Sequence, residues 1–134
     1  MRLAADANVL LSAVLGGREK AVLEHPTVQE VFTAEATLAE VQEYAPLLAG
    51  KKRLSADLVL LDVATLPVTV VDSSVYARSV SEARRRIGRR DPDDIDILAL
   101  ALHFGLPIWS NDNDFEVAGV EWYTTADMLA RLRT

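Results

Sequence analysis

Short β-type runs alternate with helix-type stretches along the whole chain, and this alternation restricts the fold more than any other feature. Arg2–Ala5 is short, leans apolar and ends at Asp6, as a buried strand does when it delivers a carboxylate to its C-terminal end. Asn8 can cap a helix through Val9, Leu10, Ala13 and Val14, which Gly16 and Gly17 break; Arg18–His25 reads as a further helix stopped by Pro26. Glu30–Thr33 is a second strand, followed by a helix over Ala34–Ala49 in which Leu38, Val41, Ala45 and Leu48 recur at three- and four-residue spacing. After a turn over Gly50–Arg53, Ser55 can cap a helix that runs through Leu66 and exits at Pro67. Val68–Val71, rich in β-branched residues, is a third strand. Ser73 or Ser74 can open a helix to Ile87, and Asp91-Pro92 starts an apolar one through Ile95, Leu98, Ala99 and Leu102 to Gly105. Pro107–Trp109 and Val120–Tyr123 are the fourth and fifth strands, and Thr124 caps a last helix through Leu132.

Strands joined through helices need crossovers, which are right-handed and cover both faces of a mostly parallel sheet. The predicted fold class is therefore α/β: a three-layer α/β/α sandwich around a mostly parallel five-stranded sheet. A length of 134 residues, with no repeat, linker or low-complexity tract, predicts one domain over residues 1–134. Half the residues are hydrophobic, which excludes disorder, and the absence of cysteine excludes disulfides, thiolate zinc sites and a cysteine nucleophile. The run after Met1 is too short for a signal-peptide core and no stretch approaches the ~20 apolar residues of a membrane span, so a cytoplasmic protein is expected. A net charge of −6 opposes non-specific attraction to nucleic acid by bulk charge.

In such sheets the binding crevice lies beyond the carboxyl ends of the strands, where strand order reverses. Acids collect at those positions: Asp6 after the first strand, Asp112 and Asp114 after the fourth, and Asp93, Asp94 and Asp96 opening the helix before it, with Glu40 added from a helix. Carboxylates drawn from several elements are what a cation-dependent phosphodiester hydrolase needs to hold Mg²⁺ or Mn²⁺ and activate water. Each acid also has a plainer reading. Asp6 or Asn8 can cap the first helix, and Thr37-Leu38-Ala39-Glu40 matches a capping box, with Glu43 as a competing ligand one turn on. Asp93 and Asp94 suit the dipole of a first helical turn, and Ser110–Asp114 can be a polar turn. Asp112-Asn113-Asp114 does not open an EF-hand, because in the pair Glu116-Val117 it is Val117 that stands where the loop needs glycine, and Tyr123 stands where it needs the closing acid. His25, beside a proline, and His103, in an apolar helix, read as structural.

Taken together, Ala5-Asp6-Ala7-Asn8-Val9, Thr37-Leu38-Ala39-Glu40-Val41, Asp93-Asp94 before Leu98-Ala99-Leu100-Ala101, and Gly105-Leu106-Pro107-Ile108-Trp109-Ser110-Asn111-Asp112-Asn113-Asp114-Phe115 resemble the PIN-domain ribonucleases. The resemblance covers essentially the whole chain, and the run ending at Phe115 is its most specific piece. It implies a parallel five-stranded sheet, a Mg²⁺ or Mn²⁺ site, cleavage of RNA and, for the bacterial branch, a toxin of the VapC type with an antitoxin partner. Residue by residue, it implies that Asp6, Glu40, Asp94 and Asp112 are the four catalytic acids. Ser110 takes the place of a hydroxyl residue that steadies the first of them and adjoins the substrate. Asp6, Asp94, Asp112 and Asp114 are the candidate metal ligands, with Asp93 and Asp96 as alternatives for the third acid and Asp114 for the fourth.

Positive charge concentrates in one place: Arg78, Arg84, Arg85, Arg86, Arg89 and Arg90 face a single acid, Glu82, just before the Asp91–Asp94 run. The run is either a solvated helix face or a grip on RNA phosphates, with Arg85, Arg86 and Arg89 as the candidate contacts. The apolar surplus predicts a homodimer. A phosphorylation receiver resembles this layout but needs a lysine after its last sheet strand, and the lysines here are Lys20, Lys51 and Lys52. A haloacid-dehalogenase-like phosphatase needs a second acid where Asn8 stands. The remaining alternative is a catalytically silent PIN-like module that binds RNA or assembles with partners, and the full set of acids speaks against it.

Overall fold

The computed structural model describes residues 1–88 and 92–133, apart from the side chain of Asp93. Its sheet has five strands in the order β3-β2-β1-β4-β5, made of β1 (Arg2–Ala5), β2 (Glu30–Ala34), β3 (Thr69–Val71), β4 (Ile108–Trp109) and β5 (Trp122–Tyr123). Every pairing is parallel, and β1 is the central strand: Ala4 stands between Phe32 of β2 and Ile108 of β4. The α/β sandwich read from the alternating pattern is the fold observed.

Successive side chains of a strand point to opposite faces, and the core divides accordingly. Leu3, Ala5, Val31 and Trp109 are buried under α1 (Ala7–Val14), α2 (Glu19–Glu24), α3 (Glu35–Lys51), α4 (Ala56–Ala64) and α7 (Thr125–Arg131). Ala4, Phe32 and Ile108 are buried on the other face with Ala83 and Ile87 of α5 (Val80–Ile87) and Leu98 and Leu100 of α6 (Ile95–Phe104). Gly105 closes α6 in the left-handed region, at φ 67°, where a residue without Cβ is least strained.

Local expectations are corrected at several ends. Asp6, not Asn8, caps α1, because its carboxylate accepts from the Val9 N–H. No capping box forms at Thr37, since β2 runs directly into α3 and Ala34 is the cap; Thr37 lies buried within the first turn of the helix. The helix expected from Ser73 or Ser74 begins later. The Asp72 side chain accepts from the Ser74 N–H and holds a turn, Tyr76 buries its ring, and a 3₁₀ turn over Ala77–Ser79 leads into α5. The helix expected from Asp91-Pro92 opens with a 3₁₀ turn over Pro92–Asp94. At the last helix Thr124 and Asp127 do form a reciprocal capping box.

Candidate metal centre

The chain leaves β1 for one side of the sheet and reaches β4 on the other, so strand order reverses between these neighbours. Asp6 stands at the exit of β1 and Ser110 at the exit of β4. Asp6 is 3 % exposed, and both its oxygens are engaged: Oδ1 accepts from the Val9 N–H at 3.0 Å and Oδ2 from the Ser110 hydroxyl. Burial pushes its carboxyl up to about 6; the bonds from Ser110 and Val9 oppose the rise and the nearby Asp112 adds to it. Ser110 is itself buried, and its Oγ accepts from the Asp112 N–H at 3.0 Å, so one hydroxyl sets the spacing of two acids. Asp112 then caps the 3₁₀ turn Asn113–Ala118 by accepting from the Asp114 N–H.

That turn brings Asp112 and Asp114 back toward the start of α6. One carboxylate oxygen each from Asp94, Asp112 and Asp114 lie within 4.8 Å of one another, all three residues partly buried. This donor set is carboxylate oxygen only, which fits a hard divalent cation and not a soft metal. The structure thus brings Asp94 together with both alternatives for the fourth acid, and places Asp6 beside Asp112. Asp96 turns elsewhere: its Oδ1 accepts from the buried Tyr76 hydroxyl at 2.7 Å, and burial and Asp96 together push that phenol well above its usual range. Asp96 instead lines a cleft of about 400 Å³ with Glu40, Glu43, Tyr44 and Pro92. Glu40, partly buried on α3, stands on this wall and is not among the three clustered acids.

Of the arginines, Arg84 and Arg85 are exposed on α5, and Arg85 pairs with Glu82. Arg86 is more enclosed: it binds Glu82 at 2.9 Å and donates to the Ala118 carbonyl at 2.6 Å, tying α5 to the turn that carries Asp114. Arg89, Arg90, Asp91 and the side chain of Asp93 lie outside the described residues. Sequence reasoning passed over the supports of the β4 exit. Trp122 Nε1 donates to the Ser110 carbonyl at 2.9 Å, Trp109 Nε1 to Thr125 Oγ1 at 3.1 Å, and Asn111 bridges Glu19 and the Thr125 N–H. No pattern in the sequence marks these pairs, which are distant along the chain.

The family model of the PIN domain matches residues 5–133. The chain belongs to the PIN-domain family. No curated protein matches it at a significant level. Among solved structures, this PIN domain is similar to VapBC2 from Rickettsia felis bound to a DNA fragment from its promoter, with a TM-score of 0.69 at 17% identity over 92% of this chain and 98% of that one. It is also similar to FitAcB from Neisseria gonorrhoeae, with a TM-score of 0.58 at 19% identity over 94% and 99% of the two chains. VapBC-1 from nontypeable Haemophilus influenzae gives 0.61 at 12% identity over 94% and 99%. At such identities the likeness shows the shared fold.

Proposed function

We propose that this PIN domain is a metal-dependent endoribonuclease, the toxin of a toxin–antitoxin pair. The observation that carries the nuclease reading is the convergence of Asp94, Asp112 and Asp114 at the crevice where Asp6 is held by Ser110. Asp6, Asp94, Asp112 and Asp114 would hold one or two Mg²⁺ or Mn²⁺ ions, directly or through water. Glu40, on the adjoining cleft wall, is a further ligand or the base that orients the attacking water. A bound divalent cation lowers the pKa of water and offsets charge that develops on the phosphoryl oxygens. The toxin reading, with an antitoxin as partner, is supported by the likeness to the VapBC and FitAcB structures. Among the described residues no helix is long and apolar enough to cross a membrane, in keeping with the proposed cytoplasmic site of action. Purified protein is expected to cut single-stranded RNA internally in millimolar Mn²⁺ and to stop on addition of EDTA; cutting that persists in EDTA removes the metal from the account.

The substrate's phosphates are assigned to the α5 face and the residues after it, with Arg84 and Arg85 exposed there, Arg89 following in sequence, and Arg86 bracing the face while adding charge. Groups that grip phosphate read no base identity. The double variant Arg84→Ala/Arg85→Ala is therefore expected to weaken binding about equally for different RNA sequences. The slope of log affinity against log salt should flatten by roughly 0.7 for each phosphate of a single strand that the variant no longer neutralises. An unchanged slope and cleavage rate would make α5 a solvated face.

A homodimer is the proposed assembly. Leu47, Leu58 and Leu61, each more than half exposed on the packed helices α3 and α4, supply apolar surface for it. Sedimentation is expected to give a dimer at micromolar concentration, and a monomer throughout that range refutes it.

A further inference from the structure

Glu19 stands out as a buried acid that the proposed chemistry does not use: it is 5 % exposed, on α2, outside the carboxylate cluster. Its Oε2 accepts from Asn111 Nδ2 at 3.2 Å, while Asn111 Oδ1 accepts from the Thr125 N–H at 2.8 Å. A carboxylate can only accept and a backbone N–H can only donate, so the two partners together fix which way the Asn111 amide points. Asn111 lies between Ser110, which holds Asp6, and Asp112, which holds Asp114. The space around the acid is close-fitted, since a Cβ on Gly17 would come within 2.5 Å of Glu19 Oε1 and 2.7 Å of the Ser12 carbonyl oxygen. A side chain at position 17 would therefore press on both the Glu19 carboxylate and the Ser12 carbonyl.

We infer that Glu19 is a positioning residue for the cation site: through the Asn111 amide it clamps the Ser110–Asp112 segment between α2 and α7, holding Asp112 at the spacing the cluster needs. Its role is as a hydrogen-bond acceptor for Asn111, not as a charge acting on the cation. This inference rests on the metal-dependent reading above and adds a residue to it.

Mn²⁺ binding to the purified full chain, read by isothermal titration calorimetry at neutral pH, tests the inference without using activity. Removing a partner that orients a ligand segment typically weakens metal affinity by about 10-fold or more. Glu19→Ala is expected to raise the Mn²⁺ dissociation constant by about that factor with an unchanged circular dichroism spectrum. Glu19→Gln, which keeps an acceptor oxygen for Asn111, is expected to stay within about twofold of the wild type. Asn111→Ala removes the same clamp from its other side and should match Glu19→Ala, so it serves if Glu19→Ala does not fold. Wild-type affinity in the alanine variants overturns the inference, and so does a Glu19→Gln variant as weak as Glu19→Ala, which would make the charge the operative property. A wild-type chain that binds no Mn²⁺ is a different failure: it overturns the metal-dependent reading and the positioning role with it.

Discussion

Replacing Asp6 by asparagine is expected to lower Mn²⁺-dependent RNA cleavage by at least ~100-fold while leaving the fold intact. The amide oxygen of the variant can still accept from the Val9 N–H and keep the cap of α1, and the amide nitrogen can donate to Ser110 Oγ where the carboxylate accepted from it. What disappears is the negative charge that a hard cation requires. Cleavage by Asp6→Asn at the wild-type rate would remove Asp6 from the site. The contrast with an ordinary core substitution is the sign of the stability change, because metal-free Asp6→Asn should melt higher than the metal-free wild type at neutral pH.

That sign follows from the pH dependence of the metal-free protein. The Asp6 carboxyl titrates near 3.8 in an unfolded chain and at about 6 in the fold. Between those values the folded protein keeps a proton that the unfolded chain has given up. The stabilisation this provides is complete below about pH 4 and is lost as pH rises through about 6. At about 1.4 kcal/mol per pKa unit the change is on the order of 3 kcal/mol, enough to lower the Tm by roughly 10 °C. Asp72, Glu82 and Asp127 are shifted downward by their own partners and work in the opposite direction. The quantity to measure is therefore the difference in Tm between wild type and Asp6→Asn from pH 4.5 to pH 7.5. It should open in favour of the variant as pH rises, and millimolar Mn²⁺, which competes with the proton and binds only the folded state, should close it. A difference that stays constant across this range, or that ignores Mn²⁺, contradicts the burial of an ionisable carboxylate at the site.

The fold was legible because short apolar or β-branched runs such as Arg2–Ala5 and Val68–Val71, set between helical stretches, leave few alternatives to a parallel α/β sheet. The exits of β1 and β4 were legible for the same reason, which is why Asp6, Ser110, Asp112 and Asp114 could be singled out. The choice between Asp94 and Asp96 was not. A 3₁₀ turn over Pro92–Asp94 precedes α6, and three residues per turn there against 3.6 in the helix rotates the two acids in a way that spacing alone does not reveal. The Thr37–Glu40 capping box failed because a T-x-x-E pattern arises inside a helix as readily as at its start: α3 is already under way from Ala34, which puts Thr37 within its first turn. Glu19 was invisible for a further reason: its partner Asn111 is 92 residues away, and only tertiary packing joins them.

Asp94, Asp112 and Asp114, with Asp6 beside Asp112, are the proposed seat of a hard divalent cation. Anomalous X-ray scattering from crystals grown in Mn²⁺ locates that cation without reference to any reaction. The expected result is an anomalous difference peak bounded by carboxylate oxygens of Asp94, Asp112 and Asp114, absent when the crystals are grown from Asp6→Asn/Asp112→Asn protein. A well-ordered wild-type crystal at millimolar Mn²⁺ with no peak there, or with its peak at the Glu40 and Asp96 cleft instead, would contradict it.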